Sequence, residues 1–202
     1  MAFSDFKDIA DVQKRYNIKY IEEKFVIEKS VEIPGQFLND LEFYRKNIDI
    51  FSSEASRCEI IISPILREIY KKHYKNHSFW IQKKIEYDEV LSGTPDYIFS
   101  GKSKLGKTVL EKPLLVVVEA KKNDFELGWG QCLAELVACQ KINENSSEPI
   151  YGIVTDGNLW QFGKLLEDNF IKDIESFTLD RLNELYGALE YIFQMTENST
   201  KA

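Results

Sequence analysis

The sequence predicts an α/β fold, a central sheet flanked by helices in a single domain over residues 1–202. Three observations predict it. Leu114-Leu115-Val116-Val117-Val118 is an apolar run rich in β-branched residues, the signature of a strand buried on both faces. Residues 52–73 and 129–139 carry helical patterns, the second apolar nearly all round and so expected inside. Residues 150–163 read as strand, turn and return strand, with Asp156-Gly157-Asn158 supplying the residues that tolerate positive φ.

Taken in order, residues 4–28 read as helical, with 18–29 open between helix and strand, and Ile33-Pro34-Gly35 is a break. Phe37, Leu41 and Tyr44 mark one side of a helix over 36–48. From Ser52 to His73 the pattern is strongest. Ser52 or Ser53 caps it, Cys58, Ile61, Ile62, Ile65 and Ile69 form its apolar face, and Pro64 should kink or divide it. Phe79–Tyr87 and Tyr97–Phe99 read as strands, and Ser100–Lys112 as a basic loop close to the proposed site. A strand over 170–178 and an amphipathic helix over 179–193 close the domain, with a frayed tail from Thr196. Residues 1–50 read as a helical extension packed on the rest of the domain, and 178–195 as a C-terminal helix.

Bulk properties narrow the function. A hydrophobic content of 44% supports a folded core, and no run approaches the ~20 apolar residues of a membrane span. The N-terminus lacks a signal-peptide pattern, and Cys58, Cys132 and Cys139 show no CxxC spacing, so a cytoplasmic location is expected. The net charge of −7 counts against non-specific nucleic-acid binding driven by charge alone.

Chemistry concentrates where the buried strand ends in Glu119-Ala120-Lys121. Alternation along a strand sends Glu119 and Lys121 to one face and Ala120 to the other. If Tyr97–Phe99 pairs with the Val116 strand, the Asp96 and Glu119 carboxylates converge. Two such groups about 4 Å apart repel by about 4 kcal/mol at an effective dielectric of about 20. One must protonate, or a cation must sit between them. Oxygen ligands suit Mg2+ or Mn2+. Lys121 stands beside that ion as a point charge for a water or a developing phosphorane.

Pro95-Asp96 and Glu119-Ala120-Lys121 together resemble the two halves of the PD-(D/E)XK nuclease motif, the restriction-endonuclease-like superfamily. The Val154–Phe162 hairpin resembles one in nuclease domains of type I restriction subunits and many prokaryotic relatives. The resemblance covers roughly residues 50–165. It implies a mixed central β-sheet flanked by α-helices, and a Mg2+-dependent phosphodiesterase acting on nucleic acid, DNA first. It assigns the metal to Asp96, Glu119 and the Ala120 carbonyl, with Glu54, or Glu59 in reserve, as a third acid. It gives Gln131 a place beside the metal or substrate, whereas Glu135, where several relatives carry an aromatic, is read as structural. Lys102, Lys104, Lys107 and Lys122 are the candidate phosphate contacts.

Two rivals stand beside the nuclease reading. One is a catalytically silent member of the same fold, acting as a protein-interaction or regulatory module. The other is an unrelated α/β protein with a chance motif. A homodimer or a partner subunit is open. His73 and His77 have the i, i+4 spacing of a zinc pair, but no third ligand is evident, so cations at a helix C-terminus are the expectation.

Overall fold

In a computed structural model the protein is described over residues 2–29, 31–122 and 124–199. Seven strands form one mixed sheet in the order β1 (Lys19–Glu23), β9 (Asn169–Thr178), β8 (Leu159–Leu166), β7 (Ile150–Thr155), β6 (Glu111–Ala120), β5 (Tyr97–Gly101), β2 (His77–Ile81). A separate ribbon pairs β3 (Ile85–Glu86) with β4 (Ser92–Gly93). The α/β expectation holds: helices cover both faces of the sheet.

The centre follows from sequence chemistry. In β6, every residue from Leu114 to Ala120 is buried. Parallel neighbours need a crossover, and α5 (Phe125–Asn143) supplies the one between β6 and β7. Alternation then divides the core. Val116, Val118, Ala120 and Phe99 face α2 (Gly35–Asn47), α4 (Ser63–His73) and α6 (Leu182–Ser199). Leu114, Val117 and Ile98 face α5 and α1 (Ile9–Tyr16).

Three local expectations change. Among the described residues, helix in the first fifty is confined to Ile9–Tyr16, Gly35–Asn47 and short 3-10 turns, and Lys19–Glu23 joins the main sheet in parallel with β9. The extension is therefore part of the sheet. All five β1 residues are exposed, and their charges guard an open edge. The helix over 52–73 is divided as Pro64 demanded, but through a π turn. Short α3 (Glu54–Arg57) runs into Cys58–Ile62, where the Ser63 amide donates to the Cys58 carbonyl, and Pro64 then sits in the first turn of α4, where no N–H is needed. Finally, α6 continues past Thr196, because Thr196 is buried and bonded to His77; residues 200–202 of the expected tail lie outside the described residues. No helix among the described residues is long and apolar enough to cross a membrane.

Candidate active site

Register brings the predicted acids together. Tyr97 pairs with Val118 across β5 and β6, so Asp96 and Glu119 stand at the same sheet end. Asp96 shares the face of Ile98, and Glu119 that of Val117, and both of those residues belong to the α5 side. Asp96 Oδ2 accepts from the Ala120 amide at 2.8 Å, which locks its carboxylate against the end of β6. Glu119 Oε1 pairs with Lys121 Nζ at 2.8 Å. The Lys121 amide donates to the Thr155 carbonyl of β7 at 2.9 Å, fixing the strand end from the other side.

A residue read as structural completes the group. Glu135, on α5, is 1% exposed. The charges of Glu119, Asp96 and Lys121 all act on it. Burial, then Glu119 and Asp96, push its carboxyl well above the usual carboxylate range. Glu119 is pushed up to about 7 by burial first and by Asp96 second, against the pull of Lys121. Asp96 is raised by burial, despite its Ala120 bond. Burial disfavours the Lys121 charge, but the Glu119 carboxylate outweighs it and raises the ammonium's pKa. Among the described residues, Glu119 Oε2 and Glu135 Oε2 are buried with no hydrogen-bond partner. Three carboxylates thus share one lysine, an arrangement that takes up protons or a cation.

The third-acid alternatives separate. Ser53 caps α3 through its bond from the Ser56 amide and puts Glu54 at the helix start. Glu54 Oε2 accepts from the Lys122 amide at 3.2 Å, and its charge reaches Asp96 and Lys121. Glu59 is exposed, and its charge acts instead on Cys58 and Tyr97. Gln131 is half-buried one turn before Glu135 on α5.

The basic loop is a correction. β5 leaves the site at Tyr97 and ends at Gly101, opposite Glu111, so Lys102, Lys104 and Lys107 emerge at the far sheet end, about 15 Å away along β5. Lys102 Nζ bonds the Tyr74 carbonyl there. Of the proposed phosphate contacts, only Lys122 is at the site, with Nζ 3.4 Å from the Ser52 carbonyl.

Two neighbours shape the rim. Gly128 of α5 leaves room for Lys121: an added Cβ would lie 2.7 Å from Val154 Cγ1 and 3.1 Å from Lys121 Cγ. The β7–β8 hairpin turns at Gly157, with φ of 87°, and buried Arg57 grips it through the Asp156 carbonyl at 3.2 Å. Glu135 had one signal in the sequence, a carboxylate within a helix otherwise apolar nearly all round. No protein-family model matches the chain, and no curated protein matches it.

Proposed function

We propose that the protein is a Mg2+-dependent phosphodiesterase that hydrolyses nucleic acid, DNA first, at the Asp96–Glu119–Lys121 group. The single observation that carries this reading is the convergence of Asp96, Glu119 and Glu135 on one lysine, with two buried carboxylate oxygens left without partners. An all-oxygen donor set of that charge fits a hard divalent cation.

Asp96 and Glu119 would hold the ion, with the Ala120 carbonyl beside them and Glu54 at the open edge. When bound, Mg2+ supplies Lewis acidity and charge neutralisation toward a phosphodiester. Lys121 has two tasks. It holds Glu119 in place through their 2.8 Å pair and favours its charged form against burial, and it offers an ammonium to charge developing on the phosphoryl oxygens. Glu135 sits deeper, and its raised carboxyl beside Glu119 and Asp96 adds a third oxygen donor that a bound cation would draw into its charged form. Lys122, at the exposed lip, offers a contact to the substrate backbone. The acidic whole chain gives such contacts little help, so binding should be weak and salt-sensitive.

The test is cleavage of plasmid and of single- and double-stranded oligonucleotides with Mg2+ or Mn2+, for wild type and Lys121→Ala. A loss of about 10²–10⁴-fold in the variant is expected for a residue in this role. Equal rates in both, or no cleavage of any substrate by wild type, rejects the reading and leaves the catalytically silent module.

A further inference from the structure

A second cluster lies at the other end of the sheet. α4 ends at His73, the chain turns through Asn76, and β2 begins with His77, which pairs with Gly101. The last turns of α6 pass over this corner. His73 is 5% exposed and His77 fully buried, and the Phe193 ring packs on both imidazoles at 5.3 and 5.6 Å between centroids. Glu197 Oε1 lies 2.8 Å from His73 Nδ1 and 3.9 Å from His77 Nδ1. The sequence spacing of the two histidines lacked a third ligand; α6 brings one from 124 residues away.

We propose that His73, His77 and Glu197 bind a zinc ion that ties the end of α6 to the α4–β2 corner. Each of the three can present one ligand atom with all of them within 4.8 Å of one another. Tetrahedral ligation at about 2.0–2.1 Å needs ligand atoms about 3.4 Å apart, and the two measured separations fall on either side of that value.

The surroundings fit ligating imidazoles. A metal-bound histidine directs its other ring nitrogen to an acceptor, which fixes the ring and its tautomer. His77 Nε2 lies 2.8 Å from Thr196 Oγ1, whose hydroxyl donates to the Phe193 carbonyl at 2.8 Å. That oxygen accepts from His77 Nε2–H when Nδ1 is the ligating nitrogen; Nδ1 lies 3.9 Å from Glu197 Oε1 and 3.3 Å from the His73 carbonyl, a contact that the ion would replace. On His73, Glu190 Oε1 lies 3.2 Å from Nε2, on the side away from Glu197. With both imidazoles neutral, Glu190 and Glu197 then offset one divalent ion, and Lys72, 3.7 Å from Glu190 Oε2, adds one positive charge at the rim. Two nitrogens and one carboxylate select zinc over magnesium, so this centre and the all-oxygen group at Asp96 take different ions. Three protein ligands leave a fourth position for water.

The competing arrangement is an imidazolium at His73 held between Glu190 and Glu197, which uses the same distances without an ion. The experiment separates them. Chelator-stripped protein is titrated with Zn2+ against a chromophoric competitor, and with Co2+ by visible absorption. The chains compared are wild type, Glu197→Gln, His77→Gln and the double variant Asp96→Asn/Glu119→Gln. One Zn2+ per chain is expected in wild type and in the double variant, with four-coordinate Co2+ bands in both. Affinity should fall at least about 10-fold in Glu197→Gln and His77→Gln. Zn2+ should also raise Tm in wild type and not in Glu197→Gln, whose partly exposed position makes it the variant to use if His77→Gln fails to fold. Equal Zn2+ affinity in wild type and Glu197→Gln, or loss of Zn2+ only in the double variant, overturns the proposal. The first result leaves the nuclease reading untouched, and the second would place the bound divalent ion at Asp96 and Glu119 instead.

Discussion

Glu119 Oε1 lies 2.8 Å from Lys121 Nζ, and Glu119 nevertheless holds its proton up to a pKa of about 7. An ion pair of that geometry ordinarily lowers a carboxyl pKa. Here burial dominates, and the Asp96 charge adds to it. The lysine is outvoted, and the site is poised to change charge near neutrality.

Stability should therefore depend on pH in a defined window. Unfolded, Glu119 titrates near 4.5, and folded, at about 7. Between those values the folded chain keeps a proton that the unfolded chain has released, so stability falls as pH rises and stays lower by about 3 kcal/mol above the window. Urea midpoints measured from about pH 5 to pH 8 should decline in wild type and decline less steeply in Glu119→Gln, where the raised Asp96 and Glu135 carboxyls remain. A wild-type profile that climbs across this range contradicts the burial account.

Metal should relieve the same crowding. Adding Mg2+ or Mn2+ at pH 8 should raise the wild-type Tm, because a ligand bound only to the folded state at 100 times its Kd stabilises by about 2.7 kcal/mol. In Glu135→Gln the metal-free Tm should start higher, by about 2–4 °C for each kcal/mol of repulsion removed, and the increment on adding metal should shrink. Differential scanning fluorimetry reads both. A lower starting Tm in Glu135→Gln would identify Glu135 as a structural partner instead.

Gly128 should tolerate no side chain. The methyl of Gly128→Ala would meet Val154 at 2.7 Å and the Lys121 stem at 3.1 Å. Separating α5 from β7 should cost about 1–3 kcal/mol, measured by urea denaturation, and should displace Lys121. Unchanged stability together with unchanged cleavage would show that this close approach is dispensable.

Arg57 should matter more than a surface arginine. It is buried, lies 3.7 Å from Asp156 Oδ2, donates to the Phe51 and Asp156 carbonyls at 3.2 Å each, and covers the Phe51 ring. Arg57→Met should destabilise by about 3 kcal/mol, because it strands an acid and two carbonyls at a mostly buried hairpin tip. Thermal melts of the variant check this, and a shift under 1 °C would refute it.

Much of this was legible in the chain. The Leu114–Val118 run announces its own burial, and strand parity alone puts Glu119 and Lys121 on one side. The Ser53 cap, the break near Pro64 and the Gly157 turn follow from local backbone chemistry. Glu135 was legible only as an anomaly, a charge on an apolar helix, because which strand that helix faces is not a local property.

By itself, then, the sequence determined most of the elements and the face each residue takes, β1 being the main exception, since periodicity and turn chemistry act over a few residues. Tertiary structure alone decided the distances between elements. The β6–α5–β7 crossover carried Glu135 to Glu119, and the antiparallel return of β5 sent Lys102, Lys104 and Lys107 to the far end. The packing of α6 delivered Glu197 to His73 and His77. Those outcomes depend on strand register and helix packing between segments up to 124 residues apart, and no short window of sequence contains them.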